Sequence, residues 1–284
     1  MSQTMESKSD WIGRKSSAEE TIHGDRIAGL AALLDSENIE SSVDRPLPPT
    51  GHWLYFNKPA PQKELGADGH PVKGGFLPPV ALPRRMWAGS RIQYLRTLRI
   101  GEHVKKITKI LNVTEKTGRN GALTLLTLSH TYEGRFGPSL IEEQDIIYRE
   151  MPRTKEARSH VPAPDHGQKI GSTTVDEIML FRYSALTFNS HRIHYDRPYT
   201  EDVEGYPGLV VHGPLTATLI AEAFRAGHPE AKINRYEYRA ISPLFCGDEI
   251  SVFVDKNNDG NSYDVWALSE IGGLAMRGTI MTGE

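Results

Sequence analysis

The stretch Leu98-Arg99-Ile100-Gly101-Glu102 returns in the second half of the chain as Leu244-Phe245-Cys246-Gly247-Asp248. Each copy joins two segments that are rich in aliphatic residues, Thr or Tyr and bounded by Gly or charged residues, a pattern typical of β-strands. Three such segments follow each copy. The motif is short, so the prediction depends on its surroundings: two copies in a matching context predict a duplicated domain.

Helices and strands are predicted in a similar order around the two copies. Sequence patterns indicate helices over residues 25–35, 175–186 and 214–226. Strands are predicted over residues 90–98, 103–113, 122–133 and 140–149, and again over residues 235–241, 249–255, 262–270 and 274–281. We therefore expect an α+β fold.

The best candidate for a linker is the charged segment 151–167, which Pro152, Pro162 and Pro164 interrupt. We expect an N-terminal domain over residues 16–150 and a C-terminal domain over residues 168–284. Residues 1–15 are polar and are expected to form a loose leader.

The composition limits which classes of partner and which cellular compartment are expected. The 284 residues carry a formal net charge of −3, so neither a nucleic acid nor a membrane surface is expected as a partner. No apolar run approaches the roughly 20 residues that span a bilayer, and the first residues lack a secretory signal pattern. Cys246 is the only cysteine, which excludes an intramolecular disulfide and fits a reducing compartment. We expect a cytoplasmic protein.

Residues that carry chemistry are concentrated between residues 181 and 221. Asn189, His191 and His194 lie in a polar run after a predicted helix. Further along, His212-Gly213-Pro214 marks the start of the next helix, because proline suits the first helical position. A helix start offers backbone N–H groups and a partial positive charge, which suit a carbonyl oxygen that becomes negative. Histidine titrates near neutral pH, so this set suits proton transfer beside a carbonyl group.

The run Asn189-Ser190-His191-Arg192-Ile193-His194-Tyr195-Asp196, followed by Val211-His212-Gly213-Pro214, closely resembles the hydratase motif of the MaoC-like (R)-specific enoyl-CoA hydratases and 3-hydroxyacyl dehydratases. Together with the preceding residues 181–188, it looks like the branch that contains mesaconyl-C4-CoA, itaconyl-CoA and 3-methylfumaryl-CoA hydratases and mitochondrial hydroxyacyl-thioester dehydratases. The resemblance implies a double hotdog fold, in which two helix-wrapped antiparallel sheets form a pseudo-dimer. The first domain would be degenerate and the second catalytic.

The resemblance also implies the reaction and the roles of single residues. His194 would take a proton from water and return it to C2 of a 2-enoyl-CoA, giving a 3-hydroxyacyl-CoA by a reversible reaction. Asn189 stands five positions before it, where the wider family has an aspartate, and would hold the water. The N–H of Gly213 would stabilise the enolate oxygen. No metal and no redox cofactor is expected, since coenzyme A enters only as part of the substrate; a homodimer is a possible assembly.

Four arginines and one histidine are candidates for binding the substrate. Arginine suits anion recognition, so CoA phosphates or a substrate carboxylate could engage members of this set, although most arginines are solvated surface charges. The branch favours a short, branched dicarboxylyl-CoA as the substrate. His212 could bind substrate too, but packing behind the Gly213 turn is its plainer role. The four arginines are Arg84, Arg85, Arg182 and Arg192.

Three alternatives remain open at this point. The chain could be a 3-hydroxyacyl thioester dehydratase of fatty-acid synthesis, an acyl-CoA thioesterase, or a non-catalytic hotdog that binds acyl thioesters. Thioesterases of this kind usually rely on a carboxylate near the helix start, where this chain has Pro214, Leu215 and Thr216. The presence of both His194 and the Gly213-Pro214 helix start counts against a mere binder.

Overall fold

Ten strands and three α-helices are found within residues 8–118, 121–152, 154–155 and 157–283, which the computed structural model describes. The first half contributes β1 (Lys15–Thr21), α1 (Gly24–Leu33), β2 (Arg84–Tyr94), β3 (His103–Gly118), β4 (Gly121–Gly134) and β5 (Gly137–Arg149). The second half contributes β6 (Gln168–Thr174), α2 (Glu177–Thr187), α3 (Gly213–Gly227), β7 (Lys232–Ala240), β8 (Glu249–Lys256), β9 (Ser262–Leu268) and β10 (Leu274–Gly283).

The two halves have the same strand topology. All ten strands form one antiparallel sheet in which β1-β3-β4-β5-β2 continues into β7-β10-β9-β8-β6. Reading each half from its outer edge, the order is the same, and β2 meets β7 at the centre, with Arg91 opposite Glu237. Gly101 and Gly247 of the repeated motif both adopt a φ of 92°. The predicted duplication is therefore confirmed.

Hydrogen bonds around the repeated motif match as well. The N–H of Leu47 donates to the carbonyl of Leu98, and the N–H of Val211 donates to the carbonyl of Leu244, each over 2.8 Å. The segments that follow Leu47 and Val211 therefore occupy corresponding places. In the second half that place holds the 15-residue helix α3, whereas in the first half it holds a single 3₁₀ turn, Gly51–Leu54.

Helix α3 is the centre of the core. Its sequence suits this position because small residues let the sheet approach closely, while larger ones fill the space beyond. Ala217 and Ala221 are buried together with Leu215, Ile220 and Phe224, and the helix packs against β6, β8 and β9. This packing fixes the helix so firmly that its first residue, Gly213, can serve as a rigid part of a site.

The structure differs from the predicted elements mainly at the edges. Strands β1 and β6 were not expected, and β2 spans Arg84–Tyr94 rather than residues 90–98. The described residues between β5 and β6 form no helix or strand, while the limits of the two domains stay a prediction. Across the part of the chain that the structure covers, no helix is both long and apolar enough to cross a membrane.

Candidate active site

The polar run singled out in the sequence begins where α2 ends. Phe188 follows the helix in a left-handed conformation with a φ of 49°, and the N–H of Asn189 donates to the carbonyl of Ser184 over 2.9 Å. A left-handed residue of this kind closes a helix and turns the chain. The turn leads to a short 3₁₀ helix, Arg192–His194, which carries the predicted base.

His194 is held in one orientation. Its side chain is buried, and Nδ1 lies 2.7 Å from the carbonyl oxygen of Val210. Because a carbonyl oxygen can only accept, Nδ1 carries the hydrogen and Nε2 keeps its electron pair. Burial lowers the pKa of His194 to about 4, although the bond to Val210 acts in the opposite direction. The imidazole is therefore neutral at pH 7 and able to accept a proton at Nε2.

His212 packs flat against this base. The two ring centroids are 3.6 Å apart and the planes differ by 20°, while Nε2 of His212 lies 2.9 Å from the hydroxyl of Ser184. Burial, helped by the imidazoles of His194 and His191, holds the pKa of His212 well below its usual range. His212 thus supports the base as a neutral ring, and it also lines the cleft onto which His194 opens.

That cavity, the active-site cleft, has a volume of about 1380 Å³ and is lined by residues from both halves. Gly213 lies on its wall as the first residue of α3. A Cβ atom on Gly213 would come within 3.6 Å of the carbonyl oxygen of Trp87 on β2, so α3 and β2 face each other closely here. The first N–H groups of a helix lack partners within the helix, and Gly213 presents one beside the base.

Asn189 also lines the cleft, but its amide is partly committed. Its Oδ1 accepts the backbone N–H of His191 over 3.0 Å. Because an amide oxygen has two lone pairs, Oδ1 can still accept from water, and the NH₂ group can donate to it. The expected role of Asn189 in holding the water stays a prediction. A water molecule that accepts from this NH₂ can still donate to Nε2 of His194.

A turn from the first half, at residues 68–70, completes the wall of the active-site cleft beside Asn189. The sequence analysis did not predict it. The hydroxyl of Ser190 donates to the carbonyl of Gly69 over 2.6 Å, and the N–H of Arg192 donates to the carbonyl of Asp68 over 2.9 Å. Gly69 has a φ of 87°, and a Cβ there would lie 1.9 Å from the carbonyl oxygen of Ser190. Only glycine fits this contact, and the Asp68-Gly69 pair, which is common in turns, was the one sequence signal for it.

The same turn starts a row of side chains that ends at the base. Nδ1 of His70 lies 3.1 Å from Oδ2 of Asp68, the rings of His70 and His191 are 4.2 Å apart, and those of His191 and His194 are 5.5 Å apart. Burial lowers the pKa of His70 despite Asp68, and it lowers that of His191 further. Asp68, His70 and His191 bring ligand atoms within 4.8 Å of one another, as a metal ion would require. The positive charge of Arg85 acts on all three and disfavours a cation.

Two of the four candidate arginines are bound to other side chains. Arg84 is buried, and its Nε donates to Oε2 of Glu204 over 2.9 Å while its guanidinium covers the ring of Tyr206. Arg192 donates through Nε and Nη2 to the same oxygen of Asp196 over 2.9 and 2.6 Å. Neither lines the cleft, so the structure does not support either as a ligand for the substrate.

The other two arginines differ from each other in position. Arg182 is exposed on α2 and lies outside the cleft lining. Arg85 is partly buried on β2, lines the cleft, and hydrogen-bonds Tyr148. Its charge lowers the pKa values of His70 and His191, in addition to the larger effect of their burial. Among the four arginines, Arg85 alone can therefore meet a ligand in the cleft.

The Lys, Arg, Asp and Glu side chains that line the cleft are all of one sign, positive, among the described residues. Five cationic side chains line it, whereas no Asp or Glu does so among the described residues. Lys58 and Lys116 are exposed, as residues at a mouth would be, and Arg85 lies deeper beside the histidines. An anionic ligand matches such a surface. The five are Lys58, Arg85, Lys106, Lys116 and Arg149.

Comparison with known proteins agrees with this geometry. The family model for hydroxyacyl-thioester dehydratase type 2 matches residues 50–246. The chain belongs to this dehydratase family. It is also 42% identical to the mesaconyl-C(4)-CoA hydratase of Chloroflexus aurantiacus over 96% of this chain and 97% of that protein. A hydro-lyase of the MaoC-like kind, as the motif around His194 predicted, is thereby confirmed.

Solved structures confirm the fold of this dehydratase family member. A MaoC-like dehydratase from Phytophthora capsici superposes with a TM-score of 0.70 at 15% identity, over 97% of this chain and 99% of that one. A Mycobacterium tuberculosis protein described as a double hotdog fold gives 0.58 at 13% identity, over 96% of both chains. The predicted double hotdog is therefore correct.

Proposed function

We propose that this enzyme reversibly adds water across the double bond of a short, branched 2-enoyl-CoA that carries a second, free carboxylate. The observation that supports the chemistry best is the position of His194. Its Nδ1 is tied to Val210, its ring is neutral, and it faces a cleft on which the first N–H of α3 opens.

Each residue has one task in the proposed reaction. Water accepts from the NH₂ of Asn189 and gives a proton to Nε2 of His194, while its oxygen bonds to C3 of the substrate. The electron pair of the double bond moves through C2 to the thioester oxygen, where the N–H of Gly213 stabilises the negative charge. His194 then gives the proton to C2 and the carbonyl reforms. Dehydration is the same path in reverse.

The free carboxylate is proposed from the charge of the cleft. A carboxylate that enters a closed site without a cation costs several kcal/mol or more. Arg85 would supply that cation, since it lines the cleft and its charge acts on His191. The 42% identical relative is named for mesaconyl-C(4)-CoA. We propose mesaconyl-C4-CoA, which is the same compound as 3-methylfumaryl-CoA, or itaconyl-CoA as the substrate of this chain.

A panel of thioesters tests the proposal. The purified enzyme is incubated with mesaconyl-C4-, itaconyl-, crotonyl- and octenoyl-CoA, and the loss of enoyl absorbance and the appearance of free CoA are both recorded. We expect hydration without CoA release, with the highest kcat/KM for a dicarboxylyl-CoA. Release of CoA would identify a thioesterase, and preference for octenoyl-CoA would favour a 3-hydroxyacyl thioester dehydratase of fatty-acid synthesis.

A further inference from the structure

One lysine of the first half stands at a position where the second half has a core residue. Lys106 follows Gly101 by five positions, as Val252 follows Gly247, and β3 and β8 both begin two positions after their glycine. Val252 is buried and packs in the core with α3. Because side chains alternate between the faces of a strand, Lys106 shares its face with the fully buried Val104. Lys106 therefore lies on the inner face of the sheet, the face that α3 covers in the second half.

The neighbours of Lys106 on this inner face are polar as well. Thr108 takes the position of the buried Val254, and its hydroxyl lies 2.9 Å from Nδ1 of His130. Nε2 of His130 lies 3.1 Å from Oε1 of Gln144. An amide oxygen can only accept, so His130 donates this bond and the NH₂ group of Gln144 stays available to a ligand. Gln144 and Lys106 both line the active-site cleft, which therefore extends over this polar part of the first-half sheet.

The ammonium group of Lys106 has no acidic partner in the ranges that the structure describes. Its Nζ lies 5.3 Å from the ring centroid of Tyr132, without a hydrogen bond or an ion pair to any described side chain. Burial lowers the pKa of Lys106, and the charge of Glu142 acts in the opposite direction. Three other side chains already donate to that carboxylate. An anion that enters the cleft can therefore meet Lys106 without displacing a partner.

A second lysine lies at the same end of the cleft. The ring of Phe56 packs edge-on against Tyr132, the ring that Lys106 also contacts, with centroids 5.6 Å apart. Phe56, Asn57 and Lys58 line the cleft, and Lys58 is exposed. Lys58 thus lies at the mouth of this end and Lys106 further in. Two cations suit a ligand that carries more than one negative charge.

The distance from the base indicates which anion this end of the cleft can bind. Trp87 of β2 lies against Gly213, and β5 and β4 separate β2 from β3. Neighbouring strands are about 4.8 Å apart, so Lys106 stands on a strand roughly 14 Å away from β2 across the sheet. The carboxylate of a short acyl group bound at His194 does not extend so far. The phosphates of CoA do, because the long pantetheine arm separates them from the thioester.

We propose that Lys106 and Lys58 bind the phosphate groups of coenzyme A, so that CoA lies along the inner face of the first-half sheet while its acyl group lies at His194. The pantetheine arm passes Gln144 on β5, whose NH₂ group donates to one of its carbonyl oxygens. The inference rests on the proposed function in taking an acyl-CoA as the ligand. The place that α3 fills in the second half would then hold the nucleotide end of the substrate in the first.

Butyryl-CoA is the probe, because it is saturated and cannot be hydrated, and its binding to the full-length enzyme is measured by calorimetry. Lys106→Met removes the charge and keeps the length of the side chain. We expect its Kd to rise about tenfold or more, since a hydrogen bond to a charged group is commonly worth such a factor. Lys58→Met should have a smaller effect, because an exposed charge is screened by salt. Lys109→Met, at an exposed position of β3 outside the cleft lining, is the matched control and should bind as the wild type does.

Butyryl-pantetheine, which lacks the phosphates, tests the role of the lysine. It should bind equally well to the wild type and to Lys106→Met. Added salt should weaken the binding of butyryl-CoA more in the wild type than in Lys106→Met, because the variant has one charge contact fewer to screen. Equal losses for both thioesters would show a structural role, and a loss confined to succinyl-CoA would assign Lys106 to an acyl carboxylate. Either result overturns the inference.

Two further outcomes distinguish this inference from the proposed function. A loss of butyryl-CoA binding in Lys116→Met but not in Lys106→Met would place the phosphates at the other end of β3 and overturn the inference alone. The same holds for binding that a folded Lys106→Met leaves unchanged, with thermal unfolding as the check of folding. Absence of binding to the wild type would contradict the acyl-CoA substrate itself.

Discussion

His194 and His212 stack face to face with their ring centroids 3.6 Å apart, and this contact ties the proposed base to the helix that presents the proposed oxyanion donor. His212 directly precedes Gly213, so a shift of the stack would move base and donor together. Two protonated imidazoles at this distance would repel each other, which is one reason why both rings are neutral. The packing thus holds the proposed base and the proposed donor in a fixed relation to each other.

Removing the base should stop the reaction and leave the fold intact. General acid–base catalysis typically contributes about 10²–10⁴-fold, so His194→Ala should lower kcat for the best enoyl-CoA by at least that order. His103→Ala, at an exposed position on β3, is the matched control and should retain full activity. Thermal unfolding establishes whether the variant is folded. Near-normal turnover in a folded His194→Ala would place the base elsewhere, with His191 as the next candidate.

The pH profile should be flat through neutral pH. A base must be unprotonated to act, and burial lowers the pKa of His194 to about 4, so kcat/KM should fall only on the acid side, near that value. Asn189→Asp adds a negative charge that favours the protonated imidazole and raises this pKa. The acid limb of the Asn189→Asp profile should therefore move to higher pH. An unchanged limb would mean that residue 189 does not act on His194.

Gly213→Ala should separate stability from activity. The new Cβ would lie 3.6 Å from the carbonyl oxygen of Trp87, an ordinary contact. Gly213 does not have a positive φ, and replacing such a glycine by alanine stabilises a protein by about 0.4–1 kcal/mol, because the unfolded chain loses conformational freedom. The melting temperature should therefore hold or rise. If the thioester oxygen accepts from this N–H as proposed, the added methyl group should crowd its approach, and kcat/KM should fall by an order of magnitude or more. Steady-state kinetics and thermal unfolding are measured on one preparation. Lower kcat/KM with an unchanged or higher melting temperature supports the prediction, whereas a lower melting temperature would indicate a loss of folding.

Arg85→Gln should change specificity more than catalysis. If Arg85 binds the free carboxylate, the variant should lose at least about 30-fold in kcat/KM for a dicarboxylyl-CoA, in line with the 2–5 kcal/mol cost of unpairing a buried charge. Crotonyl-CoA, which has no such group, should be hydrated nearly as well as by the wild type. Arg182→Gln, on the exposed face of α2, controls for the loss of a charge. Equal losses on both thioesters would show that Arg85 serves another purpose.

Local patterns in the sequence were enough to predict the repeat and the segment that carries the base. A glycine with positive φ between two strands belongs to a short motif that can be recognised in the sequence. Gly101 and Gly247 both occupy this glycine position. Helix α3 was predicted nearly to the residue because Pro214 marks its start. Only the resemblance to a family led us to expect His194 and Gly213 at the same cleft. Local sequence patterns do not show which distant residues come together in the folded chain.

What the sequence did not predict depends on contacts between distant segments. Strand β1 is mostly exposed at the edge of the sheet, so it lacks the alternating apolar pattern that identifies strands. The contact between Gly69 and Ser190 joins residues from different halves, and no local pattern indicates it. The choice among the arginines likewise depended on partners such as Glu204, which binds Arg84 from far along the chain.

The turn that carries Asp68 and His70 reaches the base from the other half of the chain, and it has a consequence for how such an enzyme can evolve. In a symmetric dimer of identical subunits every substitution appears twice, once at each equivalent site. Covalent fusion removes this constraint, so one copy can acquire a turn that the other copy would not tolerate. The single 3₁₀ turn Gly51–Leu54 of the first half and the 15-residue helix α3 of the second show how far two equivalent places can differ once both copies lie in one chain.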